Sequence, residues 1–281
     1  MDDKLSVRAV CFVITERCTL RCRLCAGFSS HYQVPPHGKL EDIENAVDAL
    51  FRIVDQVEDL SISGGEPLLH KDVYRVIRYL LPYADRIGRV LVLTNGTIVP
   101  DENELRQLKE LPGLGQKLRF HISDYGPDLS RKVDGVTAVL KKTGVDYRII
   151  RYWGSELFCD GWVDFGDDTQ KYFTEDDIRT HAAQCEFRRR VYLSVRTRDG
   201  EAWLTRCARA FWRKNLGILP EGTNDVIRLP DSAAEVEAAR ERVWKMVRSE
   251  YSDSCAFCNG MREDSVRFPP AEQIQEGRMK K

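Results

Sequence analysis

The sequence predicts an α/β protein: a partial (β/α) barrel of TIM type, followed by a small unit made of a β-hairpin and a helix. Three observations carry this expectation. Short β-rich runs alternate with helical patterns through the first half, the signature of βαβ units around a parallel sheet. The alternation supplies five such steps, too few for a closed eightfold barrel. After Trp153 it stops, and an Asp199-Gly200 turn between two further β-rich runs marks a hairpin.

The first strand is expected over 9–15, around the apolar run VCFVI. A helix over 41–57 follows from Ile43, Val47, Leu50, Phe51 and Val54, which recur at helical spacing. Strand 60–63 leads into a helix over 71–83, and strand 89–94 ends in an Asn95-Gly96 turn. A helix over 102–111 is stopped by Pro112 and Gly113. Strand 118–123, helix 130–142 and strand 147–152 complete the series. The C-terminal ends of such strands form the active face of β/α barrels. The segment GSELFCDGWVDFGDDTQ, 154–170, is rich in glycine and aspartate without periodicity and reads as an active-site loop. A helix over 174–183 opens on Thr-Glu-Asp-Asp, which suits its N-terminus by capping and dipole. Strands 191–195 and 201–205 flank the hairpin turn, and a helix over 232–248 closes the ordered part. The barrel is placed at 1–169, the hairpin and helix unit at 170–260 and a tail at 261–281, fraying from Glu272.

A chain of 281 residues can bury one sizeable core, or one core and a small satellite. Hydrophobic and charged shares of 42% and 31% are those of a soluble globular protein. A net charge of -1 gives no general pull toward nucleic acid or anionic lipid, and no apolar stretch is long enough to span a bilayer. The start, MDDKLSVRAV, lacks the basic flank and apolar run of a secretory signal. Neither a nucleic-acid nor a membrane partner is expected.

The chemistry begins with Cys18, Cys22 and Cys25 in TERCTLRCRLC, directly after the first strand. Three thiolates on one short loop can hold three irons of a cubane cluster and leave the fourth open to a small molecule. A structural zinc site wants four ligands in a closed tetrahedron, and no histidine closer than His31 is available here. Nine cysteines is an odd number for a disulfide framework, and thiolates that hold iron must stay reduced, so the cytoplasm is the expected compartment. The spacing and its place after an apolar strand resemble the radical S-adenosylmethionine (radical SAM) superfamily. There the open iron chelates the amino and carboxylate groups of S-adenosylmethionine.

A second motif, Ser63-Gly64-Gly65-Glu66-Pro67, follows the second strand. Two glycines at a strand end let the backbone come close to a ligand. The motif resembles the superfamily's Gly-Gly-Glu-Pro, which implies that Gly64, Gly65, Glu66 and Pro67 hold the methionine amino group. The same resemblance implies Asn95 as a strand-three contact and Ser123 and Asp124 as ribose contacts. It implies Arg148 or Arg151 as a bidentate partner of the methionine carboxylate. Leu24 occupies the position before the third cysteine, often aromatic in the family, where it packs near adenine. The ordinary alternatives are a turn asparagine, a helix cap and a solvated arginine.

Cys185, Cys207, Cys255 and Cys258 form a further constellation, the last two as C-x2-C. Four cysteines drawn together by a hairpin and a helix can enclose a second metal centre, either a cluster or a zinc knuckle. Their order resembles the Twitch subgroup, related to SPASM proteins, and is similar to that of the 2-deoxy-scyllo-inosamine dehydrogenases. That resemblance implies an auxiliary [4Fe-4S] cluster with no open iron, fit to move an electron. Cys11, inside the first strand, is expected in the core. Cys159, in the active-site loop, is either a hydrogen-atom donor to a substrate radical or an ordinary loop residue. Trp153, Asp160, Trp162, Asp164 and Asp167 either line a polar pocket or serve as solvated loop residues. Arg188, Arg189 and Arg190, with Arg206, Arg209 and Arg213, either clamp a phosphate or form a solvated face. His31, His37, His70, His121 and His181 make no metal pattern.

The resemblance implies an enzyme that uses a [4Fe-4S] cluster, S-adenosylmethionine and a reductant such as flavodoxin or ferredoxin. A 5′-deoxyadenosyl radical then abstracts hydrogen from a small, carbohydrate-like substrate, a sugar nucleotide or an aminocyclitol. Oxidation of an alcohol, with the auxiliary cluster accepting the second electron, is the expected outcome. Epimerisation with Cys159 as donor is the second. Modification of a ribosomal peptide ranks lower, because the short stretch before the first strand leaves no room for a leader-binding domain. A non-catalytic iron–sulfur or zinc carrier is the reading from outside enzymology, and the Gly-Gly-Glu-Pro cradle speaks against it.

Overall fold

Four β/α steps and a fifth strand open the chain in the computed structural model, which describes residues 4–189 and 192–274. They are β1 (Ser6–Thr15), α1 (Leu40–Ile53), β2 (Gln56–Gly64), α2 (Val73–Tyr79), β3 (Ile87–Thr94), α3 (Glu102–Lys109), β4 (Leu118–Asp124), α4 (Val133–Thr143) and β5 (Asp146–Arg151). After a long loop come α5 (Glu175–Ala183), α6 (Glu186–Arg189), β6 (Tyr192–Arg198), β7 (Glu201–Thr205), α7 (Ala208–Asn215), β8 (Val226–Arg228) and α8 (Val236–Arg248). A 3-10 turn at Asp253–Phe257 carries the last cysteines.

The strands form one sheet in the order β5-β4-β3-β2-β1-β6-β7-β8. Strands β1 to β5 pair in parallel, and β6 adds in parallel to the other side of β1, with Ala9 opposite Tyr192. Strands β7 and β8 follow antiparallel. The hairpin thus continues the barrel's own sheet and covers what would otherwise be an open edge along β1.

Period-two alternation decides which side chains meet the helices and which meet the concave side. On β1, Val10, Phe12 and Ile14 pack under the helical layer with Ile43, Val47 and Leu50 of α1. Burying each such side chain contributes roughly 1.5–3 kcal/mol. Cys11 and Val13 face the other way and line a cavity, together with Ser63, Leu93 and Ser194. The expectation of a core role for Cys11 is therefore corrected: its strand position turns it to the lumen.

Element boundaries shift where one apolar residue fits two periodicities. The helix expected to reach 57 ends at Ile53, because Val54 is already extended and Val57 sits in β2 between Val7 and Ile87. Strand β2 starts early on residues with charged neighbours, since Asp59 stands opposite Arg89 and pairs with it. The segment after Phe268, expected to fray from Glu272, is tied down as far as Ile274 by backbone bonds to Arg21 and Arg23. Residues 275–281 of that tail, Arg190 of the basic run and Val191 of the expected strand lie outside the described residues. Among the described residues no helix is long and apolar enough to cross a membrane.

Candidate active site

The cysteine loop leaves the C-terminal end of β1 and is clamped there by the end of β2. The Gly65 N–H donates to the Thr15 carbonyl at 2.8 Å, and the Glu66 N–H to the Arg17 carbonyl at 2.9 Å. A Cβ on Gly64 would fall 2.1 Å from the Thr15 oxygen; one on Gly65 would fall 2.3 Å from the Arg17 oxygen and 2.7 Å from Cys18 Cβ. Close backbone approach to the loop itself, then, requires both glycines. The Glu66 carboxylate is 0% exposed and accepts from Thr94 Oγ1 at 2.9 and 3.0 Å, the Asn95 N–H at 2.8 Å and the Leu68 N–H at 3.1 Å. Burial pushes its pKa up to about 7, with those hydrogen bonds pulling the other way. Asn95 Nδ2 reaches Thr19 Oγ1 at 3.0 Å and Cys18 Sγ at 3.5 Å. The ends of β1, β2 and β3 are in this way locked around Cys18.

On the other side the C-terminal segment straps the loop. The Arg23 N–H donates to the Glu272 carbonyl and the Ile274 N–H to the Arg21 carbonyl, each at 2.8 Å, and Gln273 Nε2 lies 3.5 Å from Cys22 Sγ. Cys18, Cys22 and Cys25 are free thiols within electrostatic reach of one another. Burial, mainly, raises Cys18 to about 11 and Cys22 to about 12. Three cysteine sulfurs on one short loop are soft donors of the kind that iron–sulfur centres take. The donor set fits iron on that ground.

A cavity of ≈ 500 Å³ opens beside the loop on the concave face. One wall is aromatic: Tyr125 stacks on Tyr152 with centroids 5.1 Å apart and meets Trp162 edge-on at 5.7 Å, and Phe158 meets Tyr152 at 5.7 Å. Cys159 belongs to the same wall, in a left-handed conformation with φ 58°. At the floor Glu16 and Arg196 form a buried ion pair at 3.0 Å, and Ser29 Oγ donates to Glu16 at 2.7 Å.

Cys185, Cys207, Cys255 and Cys258 line the far end of this cavity. Cys185 lies between α5 and α6, and Cys207 stands at the start of α7. The turn that carries Cys255 and Cys258 is held from several directions. Arg213 donates to the Ser254 carbonyl and hydroxyl, each at 2.8 Å, to the Phe257 carbonyl at 2.9 Å and to Asp168 at 2.7 Å. Asp225 accepts the Ser254 N–H at 2.7 Å and the Asp253 N–H at 3.2 Å. Arg188 donates to the Glu250 carbonyl at 2.6 Å, and Arg206 to the Met246 carbonyl at 2.7 Å. Arg188 and Arg213 are neither a solvated face nor a free phosphate clamp, because the chain around the cysteines uses their donors, and Arg206 gives one nitrogen to the same backbone. Burial pushes Cys255 up to about 12; for Cys207 burial works in the same sense, but Arg209 and Arg213 overcome it and hold that thiol below its ordinary value. Among the described residues no three His, Cys, Asp or Glu side chains close on one point as ligands of a single ion would. Thiolates shared out over the irons of a cube stand farther apart.

Leu24, Gly64 and Cys159 reach the cavity together with the second cysteine set. Glu66 and Asn95 sit behind the cysteine loop as clamps, and Pro67 opens a 3-10 turn. Asp124 accepts the Gly126 N–H at 2.9 Å, and the Ser123 carbonyl accepts from Ser130 at 3.2 Å. Arg148 and Arg151 line a separate groove along β5 with Phe158. Of the loop residues, Trp162 lines the cavity, Trp153 is 44% exposed, and Asp164 and Asp167 hold turns of the loop. Glu16, Arg196, Tyr125 and Tyr152 carry no signal as site residues, and Arg209 carries one only as part of the basic cluster read as a phosphate clamp or a solvated face. Of the first four, Arg196 alone leaves a trace, since alternation with buried Leu193 and Val195 turns Ser194 and Arg196 inward.

Residues 12–143 match the model of the Radical SAM superfamily. This stretch is a radical SAM domain. Its cofactors are a [4Fe-4S] cluster and S-adenosylmethionine. The domain is similar to the "GTP 3',8-cyclase" of Aquifex aeolicus, with 29% identity over 136 residues, 47% of this chain and 40% of that one. It is similar also to the "Tungsten-containing aldehyde ferredoxin oxidoreductase cofactor-modifying protein" of Pyrococcus furiosus, with 31% identity over 148 residues, 48% of this chain and 37% of that one. The matched region thus spans about two fifths of the length of these curated relatives. Among solved structures, BtrN in complex with AdoMet and 2-DOIA aligns over 95% of this chain and 99% of that one, with TM-score 0.50 and 15% identity. At that identity the likeness is one of fold, and its coverage runs beyond the radical SAM domain.

Proposed function

We propose that this radical SAM protein carries two clusters and oxidises an alcohol of a small, carbohydrate-like substrate. One observation carries the reading: a single cavity is lined by the segment around the first cysteine set (Leu24, Ala26, Gly27) and by all four cysteines of the second. Cys18, Cys22 and Cys25 would hold the first [4Fe-4S] cluster, and Cys185, Cys207, Cys255 and Cys258 an auxiliary one in a Twitch-like arrangement. When bound, the first cluster and S-adenosylmethionine would supply abstraction of one hydrogen atom from carbon, and an auxiliary cluster would supply an acceptor for the second electron, so that with a proton lost to solvent the alcohol would become a ketone. The chain's own part is to bind, orient and keep water out. Tyr125, Tyr152, Phe158 and Trp162 supply aromatic faces, while Glu16, Ser63, Ser194 and Arg196 supply polar contacts at the floor.

The cyclase and cofactor-modifying relatives match only the first half of the chain, so their named substrates are not carried over. A carrier or scaffold has no use for such a cavity beside the clamped loop. Epimerisation is the second reading, and the position of Cys159 in the cavity wall favours it over peptide modification. A panel of aminocyclitols and sugar nucleotides, run anaerobically in D2O, tests the choice. The expected product is lighter than substrate by two hydrogens. A product that differs from its substrate only by one solvent-derived deuterium in place of hydrogen would transfer the reaction to epimerisation.

A further inference from the structure

Arg209 is an enclosed cation that no carboxylate among the described residues pairs with. The residue is 3% exposed, and its guanidinium carbon lies 3.9 Å from the Phe165 ring centroid and 4.6 Å from that of Phe187. The neighbouring buried arginines answer carboxylates: Arg213 pairs with Asp168 and Arg196 with Glu16. Arg209 faces sulfur instead. Its Nε–H donates to Cys207 Sγ at 3.1 Å. An Nη1–H also reaches the carbonyl of Ala26 at 3.4 Å, next to Cys25 of the first set. A guanidinium buried this deeply needs anions around it, and thiolates of a loaded metal site are the anions at hand.

We propose that Arg209 is a positioning residue that raises the reduction potential of the second cluster and so fits it to accept an electron. The inference rests on the reading that the second cysteine set holds a cluster. On one-electron reduction the cluster and its four thiolates gain one negative charge. A fixed cation and an N–H···S hydrogen bond stabilise that reduced form more than the oxidised one, which moves the potential upward. Two phenylalanine rings keep the planar fork in register with the sulfur, a geometry that a flexible ammonium cannot reproduce.

The test is a dithionite titration, followed by EPR, of full-length protein reconstituted anaerobically in a C18A/C22A/C25A background. There the signal belongs to the second cluster alone. The potential should fall in the order parent, R209K, R209Q, because lysine keeps the charge and loses the fork, and glutamine loses both. Parent-like potentials in both variants would overturn the proposal, since a merely structural arginine leaves the couple where it was. If R209Q does not hold iron, R209K decides: a lowered potential supports the role and an unchanged one removes it. A parent that holds zinc, or has no second couple at all, fails the two-cluster reading underneath and takes this inference with it.

Discussion

Glu66 and Gly65 show how residues that read as ligand contacts also build the platform for the ligand. Gly65→Ala puts a Cβ into the Arg17 carbonyl and Cys18, so the cysteine loop must move. We expect a destabilisation of about 1–3 kcal/mol and loss of iron from the first site only, read by urea unfolding and iron analysis. An alanine variant with full iron and parental stability would contradict the clamp. Glu66 yields a pH prediction. Its pKa rises from 4.5 to about 7 on burial, so the folded state binds more protons than the unfolded one between those values. The stability Glu66 contributes is present in full below 4.5 and lost as pH rises through about 7. In the apo-protein Glu66→Gln should flatten that fall, by on the order of 3 kcal/mol across the window. Asp225, raised to about 6 mainly by burial, leaves a smaller residual slope. Urea midpoints between pH 5 and 8 measure it, and parallel curves for the two proteins would refute the assignment.

Among the elements, the β/α rhythm was legible because β1 to β4 each bury apolar residues and the helices between them repeat an apolar stripe, whereas β5 at the sheet edge buries none of its residues. What escaped was short or masked. Strand β8 has three residues, and α7 hides its buried Ala210 and Phe211 among arginines whose charge is used internally. The hairpin turn was legible from Asp199-Gly200, whereas the parallel pairing of β6 with β1 joins distant segments and leaves no local signal. The cysteines were legible by spacing alone; their surroundings were not, since Glu16, Arg196 and Arg209 act through contacts across the fold. The C-terminal strap was hidden in the same way. Truncation before Phe268 removes Gln273 from Cys22 and the backbone bonds to Arg21 and Arg23. The first cluster should then bleach faster in air while the second keeps its parental rate, followed by visible absorption in the separate cysteine backgrounds. Equal bleaching of the first cluster in both proteins would deny the strap a protective role.

For the whole molecule, the division of labour between the two cysteine sets makes the sharpest distinction. Cys255→Ala should leave cleavage of S-adenosylmethionine to 5′-deoxyadenosine in place and suppress oxidised product. Cys18→Ala should abolish cleavage altogether. Cleavage lost equally in both variants would mean that the second set serves stability and not electron transfer. The central claim is that one cavity is served by two four-iron clusters, and iron and zinc analysis of anaerobically reconstituted protein tests it most directly. The account predicts about eight irons per chain, falling to about four in C18A/C22A/C25A and to about four in C255A/C258A. Stoichiometric zinc with negligible iron, or an iron content untouched by loss of Cys255 and Cys258, would contradict it.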